Sequence, residues 1–164
     1  TAFPLAVMAA APFSGSLSDR VGTRTPACLG AGICALALFL MSRLPASASS
    51  TDIVWRLAIF GLGTGIFQSP NNSAVMGSAP RPHLGIASGI LATMRNVGMV
   101  LGITTGGAVL YAFAPSYALQ KAALDSSETA AFLSGLRHAY MAGAILTALA
   151  SVTSLVRSGG PTRA

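Results

Sequence analysis

Apolar residues fill five long segments of the chain, and short stretches rich in Gly, Pro or charged residues separate them. The five segments are Thr1 to about Ser16, Pro26 to about Ser42, Ile53 to about Met76, Leu84–Phe113, and about Leu136 to Leu155. An apolar stretch of about 18 residues or more indicates a membrane-spanning helix, because ~20 helical residues cross a ~30 Å hydrocarbon core. The pattern therefore predicts an all-α transmembrane bundle of about five helices, the first of them incomplete.

Local signals place the starts of two of these helices. Thr25 is the predicted N-cap of the second, with Pro26 at the first helical position, where a missing N–H does no harm. Thr51 or Asp52 is the predicted cap of the third helix, and Pro70 predicts a kink within it. A further helix is predicted to begin at Ser126 or Ser127, with Glu128 in its first turn, and to lie at the membrane interface before the last span.

Composition agrees with the membrane interpretation. The chain is 52% hydrophobic and 9% charged, and its mean hydropathy is +0.66. Soluble domains are about one quarter charged, and one with this composition would expose large apolar patches. The net charge is +6, but the basic residues stand singly at the ends of apolar runs. A nucleic-acid partner is therefore not expected, since it would need them clustered on one surface.

Charge also suggests an orientation. One side of the membrane would hold the two short connections and the C-terminal end, with the basic residues Arg20, Arg24, Arg81, Arg157 and Arg163. The other side would hold Arg43, Arg56, Lys121 and Arg137. The positive-inside rule then makes the first side cytoplasmic. We expect residues 1–156 to form the membrane section and residues 157–164 a cytoplasmic tail, in a chain that is the C-terminal part of a longer protein.

Arg95 is the most informative residue, because it is the one charged side chain in the segment Leu84–Phe113. It lies about 16 Å along the predicted helix, close to the bilayer midplane. An arginine there costs roughly 2.5–3.5 kcal/mol on insertion scales, so it is expected to face a bundle interior or a wet cavity. We expect it to act in substrate passage or in coupling between conformational states.

Polar amides and glycines add to this picture. Gln68, Asn71 and Asn72 place amide groups in apolar surroundings, where they need partners, and are the further candidates for a cavity. Several glycines recur at a spacing of four, which lets helices approach each other closely. These predicted packing positions are Gly61, Gly65, Gly85, Gly89, Gly98, Gly102 and Gly106. A phosphate-binding role for the G-x-G-x-G string at residues 61–65 is not expected, because it lies in an apolar helix and no P-loop lysine follows.

The first short connection contains the string GSLSDRVGTR, residues 15–24. Gly15 permits close backbone approach, and Gly22 is predicted to supply the positive φ that a tight turn needs. The string resembles the G-x-L-[AS]-D-R-x-G-x-[KR] signature of the Major Facilitator Superfamily, which lies in a cytoplasmic loop between transmembrane helices. The resemblance implies a conformational latch formed by Gly15, Asp19, Arg20, Gly22 and Arg24.

A longer pattern resembles the C-terminal half of drug–proton antiporters in the fourteen-helix branch of that superfamily. The matching positions are Gly61, Gly63, Gly65, Pro70, Ala74, Pro80, Gly85, Ala87, Ser88, Gly89, Arg95, Gly98, Gly102 and Gly106. The resemblance implies a non-enzymatic transporter of the plasma (inner) membrane that works by alternating access without a cofactor or metal, and it implies proton-coupled efflux of hydrophobic small molecules or drugs.

The partners expected from this resemblance are a small-molecule substrate, protons, the lipid bilayer and the N-terminal part of the same transporter. No Asp or Glu lies within a predicted span, so the carboxylates for proton coupling are expected in that other part. Two alternatives remain: a metabolite transporter of another branch, and a membrane scaffold that does not transport.

Overall fold

The computed structural model describes residues 2–113 and 126–156, and it is helical throughout these ranges apart from short turns. The five α-helices are α1 (Ala2–Val21), α2 (Arg24–Ser42), α3 (Ser50–Ser78), α4 (Leu84–Phe113) and α5 (Ser126–Val156). A single 3₁₀ turn, Arg81–His83, joins α3 to α4. The predicted all-α fold is confirmed.

Helix boundaries agree with the prediction best for α4, which spans the predicted Leu84–Phe113. The cap predicted for α2 is wrong: α2 begins at Arg24 after Thr23, so Pro26 stands two residues inside the helix. The cap predicted for α3 is also wrong, because Ser49 holds that position. The Ser49 Oγ accepts from the Asp52 backbone N–H at 3.2 Å, and the Ser49 backbone N–H donates to the Asp52 carboxylate at 3.0 Å. This reciprocal pair is a capping box.

Helices α1 and α5 extend well beyond their apolar segments at one end. Helix α1 continues past Ser16 to Val21, so most of the predicted first connection is helical. Helix α5 begins at Ser126, as predicted, but runs unbroken to Val156. The predicted interfacial helix and the predicted last span are therefore one element. Hydropathy marks where a helix leaves the apolar layer, whereas the backbone hydrogen bonds continue through polar residues.

Helices α1, α2 and α3 pack with their backbones close together. Helix α3 contacts both α1 and α2, and α2 also contacts α5, which in turn contacts α4. A methyl group added at Gly63 would lie 2.8 Å from the Cys34 backbone nitrogen and 2.9 Å from the Gly30 carbonyl oxygen. One added at Gly61 or Gly65 would meet the α1 backbone at less than 3 Å. Small residues thus set the spacing of these three helices.

Helix α4 is the least covered element. None of its residues is buried, and large apolar side chains such as Ile86, Met94 and Ile103 are more than 60% exposed. Among the described residues, two stretches are long and apolar enough to cross a membrane by length and composition, namely Arg24–Ser42 and Arg81–Phe113. An apolar surface of this extent is typical of a lipid or protein contact.

Candidate functional site

A cavity of about 420 Å³ lies between α3 and α4. This volume is within the range of small-molecule pockets, about 300–1,000 Å³. Helix α3 contributes one wall and the first half of α4 contributes the other. The lining residues are Thr64, Phe67, Gln68, Asn71, Asn72, Leu91, Met94 and Arg95.

The α3 wall follows one face of the helix. Thr64, Gln68 and Asn71 recur at spacings of four and three, so their side chains project to the same side. The Thr64 hydroxyl donates to the Phe60 carbonyl oxygen at 2.8 Å, and the Cys34 thiol lies 3.6 Å from the same hydroxyl. Thr64 is therefore already engaged with its own helix and with α2, whereas the amides lie further along α3.

The α4 wall is a single helical turn that carries the charge of the site. Leu91, Met94 and Arg95 line it, and the Arg95 Nη2 donates to the Asn72 Oδ1 at 3.3 Å. Among the described residues, the Arg95 guanidinium makes this one hydrogen bond. It joins the two walls of the cavity.

The structure brings together the four side chains that the sequence singled out for a cavity. Gln68, Asn71, Asn72 and Arg95 all line the same space. Sequence reasoning missed the other lining residues, Thr64, Phe67, Leu91 and Met94. A search four positions before Gln68 and Arg95 would have found Thr64 and Leu91, because such residues share a helix face. Phe67 and Met94 directly precede Gln68 and Arg95 in the chain, so the same search would not have found them.

The signature residues lie at the junction of α1 and α2. Asp19 and Arg20 fall in the last turn of α1, Arg24 is the first residue of α2, and Gly22 lies between the helices with φ of 83°. A methyl group added at Gly15 would lie 3.5 Å from the Ser69 hydroxyl of α3. The turn thus has the positive φ for which Gly22 was singled out.

The predicted packing glycines divide into two groups. Gly61 and Gly65 lie against the α1 backbone, as described above. The predicted packing glycines of α4 have no described atom within 4 Å of an added methyl group apart from the adjoining backbone of α4, and they are Gly85, Gly89, Gly98, Gly102 and Gly106. Any tight packing of these α4 positions must come from outside the described part of this chain.

The histidines and cysteines of the described residues do not line the cavity. His138 of α5 stacks on Phe113 of α4 with ring centroids 4.0 Å apart, and His83 lies in the 3₁₀ turn. Cys28 and Cys34 are free thiols, and the Cys28 thiol lies 3.3 Å from the Ser151 hydroxyl. Within residues 2–113 and 126–156, no group of three or more His, Cys, Asp or Glu side chains is placed to hold a metal ion.

Long apolar helices joined by glycine contacts, with amide groups and an arginine lining a cavity between two of them, are typical of integral membrane proteins of the helical-bundle class. Residues 1–162 match the family model of the Major Facilitator Superfamily, and the chain belongs to that family. The resemblance of the sequence to the Major Facilitator Superfamily is therefore confirmed at the level of the superfamily.

Curated relatives carry transport or resistance names. The chain is 40% identical over 139 residues to the uncharacterized transporter YebQ of Escherichia coli, with 84% of this chain and 30% of that protein covered. It is 36% identical to the riboflavin transporter RibZ of Clostridioides difficile, over 62% of this chain and 22% of that protein. It is 33% identical to the multidrug resistance protein Stp of Mycobacterium tuberculosis, over 68% of this chain and 20% of that protein. The chain thus spans less than a third of the length of these relatives.

Proposed function

We propose that this chain is the C-terminal part of a secondary active transporter that exports hydrophobic small molecules or drugs in exchange for protons. The complete molecule would work by alternating access, with two halves rocking about a cavity near the membrane midplane. In this proposal the cavity between α3 and α4 is part of the substrate path.

One observation carries the proposal: the polar residues embedded in apolar helices converge on a single cavity. Gln68, Asn71, Asn72 and Arg95 come from two helices and line the same 420 Å³ space. Polar side chains in a membrane span are expensive to bury, and they usually face the interior and mark a substrate or ion pathway. Polar residues with a purely structural role would instead be expected to hydrogen-bond to neighbouring helices, without lining a shared cavity.

The names of relatives support export of drugs. Stp is named a multidrug resistance protein, and a further relative, 28% identical over 95 residues, is the quinolone resistance protein NorB of Staphylococcus aureus. RibZ, which is named a riboflavin transporter, favours a second candidate function, the transport of a metabolite. Both candidates use the same cavity and differ in its occupant.

Proton coupling and membership of the fourteen-helix branch rest on the sequence pattern alone. The lining of the cavity contains no Asp or Glu among the described residues. In this proposal the carboxylates that exchange protons therefore belong to the preceding part of the transporter. The glycine face of α4 would pack against that same part, which accounts for the open space around Gly98 and Gly102.

The distribution of charge supports an orientation in the plasma (inner) membrane. The α1–α2 and α3–α4 turns and residues 157–164 would face the cytoplasm, following the positive-inside rule. Residues 157–164 lie outside the described part of the structure. The turn that carries Asp19, Arg20 and Arg24 would then act as a cytoplasmic latch between conformational states.

Replacement of Arg95 in the full-length transporter tests the proposal. Arg95→Ala removes the charge and the bond to Asn72, and we expect efflux to fall to the background of cells without the transporter, while membrane insertion stays near normal. Efflux of a fluorescent drug from cells, with the amount of protein in the membrane measured in parallel, gives the readout. Arg43→Ala is the matched control, because Arg43 is the C-cap of α2, does not line the cavity and lies over the Phe39 ring. Unchanged drug efflux in Arg95→Ala would remove Arg95 from the mechanism.

A further inference from the structure

We propose that the cavity between α3 and α4 binds amphipathic organic anions, with a carboxylate of the ligand at Arg95 and an apolar ring against Phe67 and Met94. This inference rests on the proposed transport function and specifies the substrate class of the same cavity.

The first argument is charge balance. Arg95 is the charged member of the lining, and its partner Asn72 is a neutral amide that cannot cancel the charge. A charge at the depth of a membrane span is expensive unless it is paired with an opposite charge or faces water. An anionic ligand supplies that counter-charge when it binds, whereas a cationic ligand would add repulsion at short distance.

The second argument is the geometry of the guanidinium group. It carries several N–H donors in a planar fork that matches a carboxylate in a bidentate arrangement. The hydrogen bond from Arg95 Nη2 to Asn72 Oδ1 occupies one N–H donor of the guanidinium group and holds the side chain against α3. Among the described residues the remaining donors have no partner and are available to a ligand. Asn72 is in this scheme a positioning residue.

The third argument is the distribution of polar and apolar groups along the cavity. From Thr64 to Asn72 the α3 wall extends about 12 Å along the helix axis. Asn72 and Arg95 meet across the cavity, and Phe67, Leu91 and Met94 supply aromatic, aliphatic and thioether surface around them. Phenylalanine and methionine side chains pack favourably against flat aromatic rings. Gln68 and Asn71 add amides for polar substituents on such a ring.

The competing arrangement is a carboxylate of the preceding part of the transporter that pairs with Arg95. That carboxylate would neutralise the site before any ligand arrives, so the cavity would show no preference for anions. Ligand charge therefore separates the two arrangements.

The experiment uses the full-length transporter in lipid nanodiscs and three probes with one ring system. They are 1-naphthylacetate, its neutral carboxamide, and the cationic 2-(1-naphthyl)ethylamine. Equilibrium dialysis at neutral pH, with empty nanodiscs subtracted, measures binding of each probe to the wild type, Arg95→Gln, Arg95→Lys and Arg43→Gln. Arg43→Gln is the control for loss of an arginine outside the cavity.

We expect the wild type and Arg43→Gln to bind the carboxylate about tenfold or more tightly than the carboxamide, since a hydrogen bond to a charged group is worth that much. Arg95→Gln should remove this preference and leave carboxamide binding unchanged, and Arg95→Lys should retain part of it. Equal binding of the three probes by the wild type, or no binding of any of them, would overturn the inference. So would a preference for the carboxylate that survives in Arg95→Gln.

Failure of this inference is distinguishable from failure of the proposed function. If the protein still exports a fluorescent drug in an Arg95-dependent way but shows no preference for the carboxylate, the proposed transport function stands and the proposed class of anionic substrates is wrong. If the protein exports no drug, the proposed transport function is wrong, whatever the binding of the three probes.

Discussion

At the scale of single residues, Gly22 is the position where backbone conformation alone decides which residue fits. Its φ of 83° is in the left-handed region, and nothing lies within 4 Å of an added methyl group. Gly22→Ala should therefore destabilise the protein by about 1–2 kcal/mol through strain, with no steric clash. Gly22→Asn should cost less, because asparagine tolerates this conformation. Thermal unfolding of the purified transporter checks both, and an alanine variant as stable as the wild type would contradict the prediction.

The residues of the candidate site were predictable from the sequence where they carry an amide or a charge, whereas the hydroxyl of Thr64 was missed. Gln68, Asn71 and Arg95 stand out because a polar group in an apolar segment requires a special environment. Phe67 and Met94 line the same cavity but could not be singled out. An apolar residue in a membrane helix has the same identity whether it faces lipid, a neighbouring helix or a ligand, and the sequence alone does not separate these surroundings.

At the scale of elements, the α2–α3 contact depends on the absence of side chains. An added methyl group at Gly63 would lie 2.8 Å from the Cys34 backbone nitrogen, and a backbone atom in a helix cannot move aside as a flexible side chain can. Gly63→Ala should therefore lower the free energy of unfolding by about 1–3 kcal/mol, the usual cost of overpacking. Gly77→Ala, in the same helix with nothing within 4 Å, is the matched control. Denaturant unfolding in detergent measures the difference, and equal stability of the two variants would show that the helices can separate at little cost.

Prediction of the elements succeeded for helix type and number and failed at several ends. The bounds of α4 were correct because apolar residues fill it from Leu84 to Phe113. The end of α1 was not, because polar residues after Ser16 continue the helix to Val21. Glycine spacing was equally incomplete as a guide to partners. Gly61 and Gly65 lie against α1, whereas Gly98 and Gly102 have the same spacing and no described neighbour.

At the scale of the whole molecule, α3 connects the predicted latch to the cavity. The Ser14 hydroxyl of α1 donates to the Ile66 carbonyl oxygen at 2.6 Å, and Gly15 lies opposite Ser69. Gln68 of the cavity wall is the neighbour of Ser69 in the chain. The end of α1 that carries the signature is therefore attached to α3 at the level of the cavity. A displacement of the α1–α2 turn would be transmitted to the cavity wall through this contact.

This connection predicts how Asp19→Asn alters transport in the full-length protein. If the carboxylate of the latch stabilises one conformational state, its neutralisation changes the balance of states and leaves the cavity lining intact. We therefore expect maximal turnover in proteoliposomes to fall severalfold, with the substrate concentration for half-maximal transport nearly unchanged. Asp19→Glu, which keeps the charge, should retain more turnover than Asp19→Asn. Wild-type turnover in Asp19→Asn would reduce the turn to a plain connection between α1 and α2, and a change confined to substrate affinity would assign Asp19 to binding instead of to the conformational cycle.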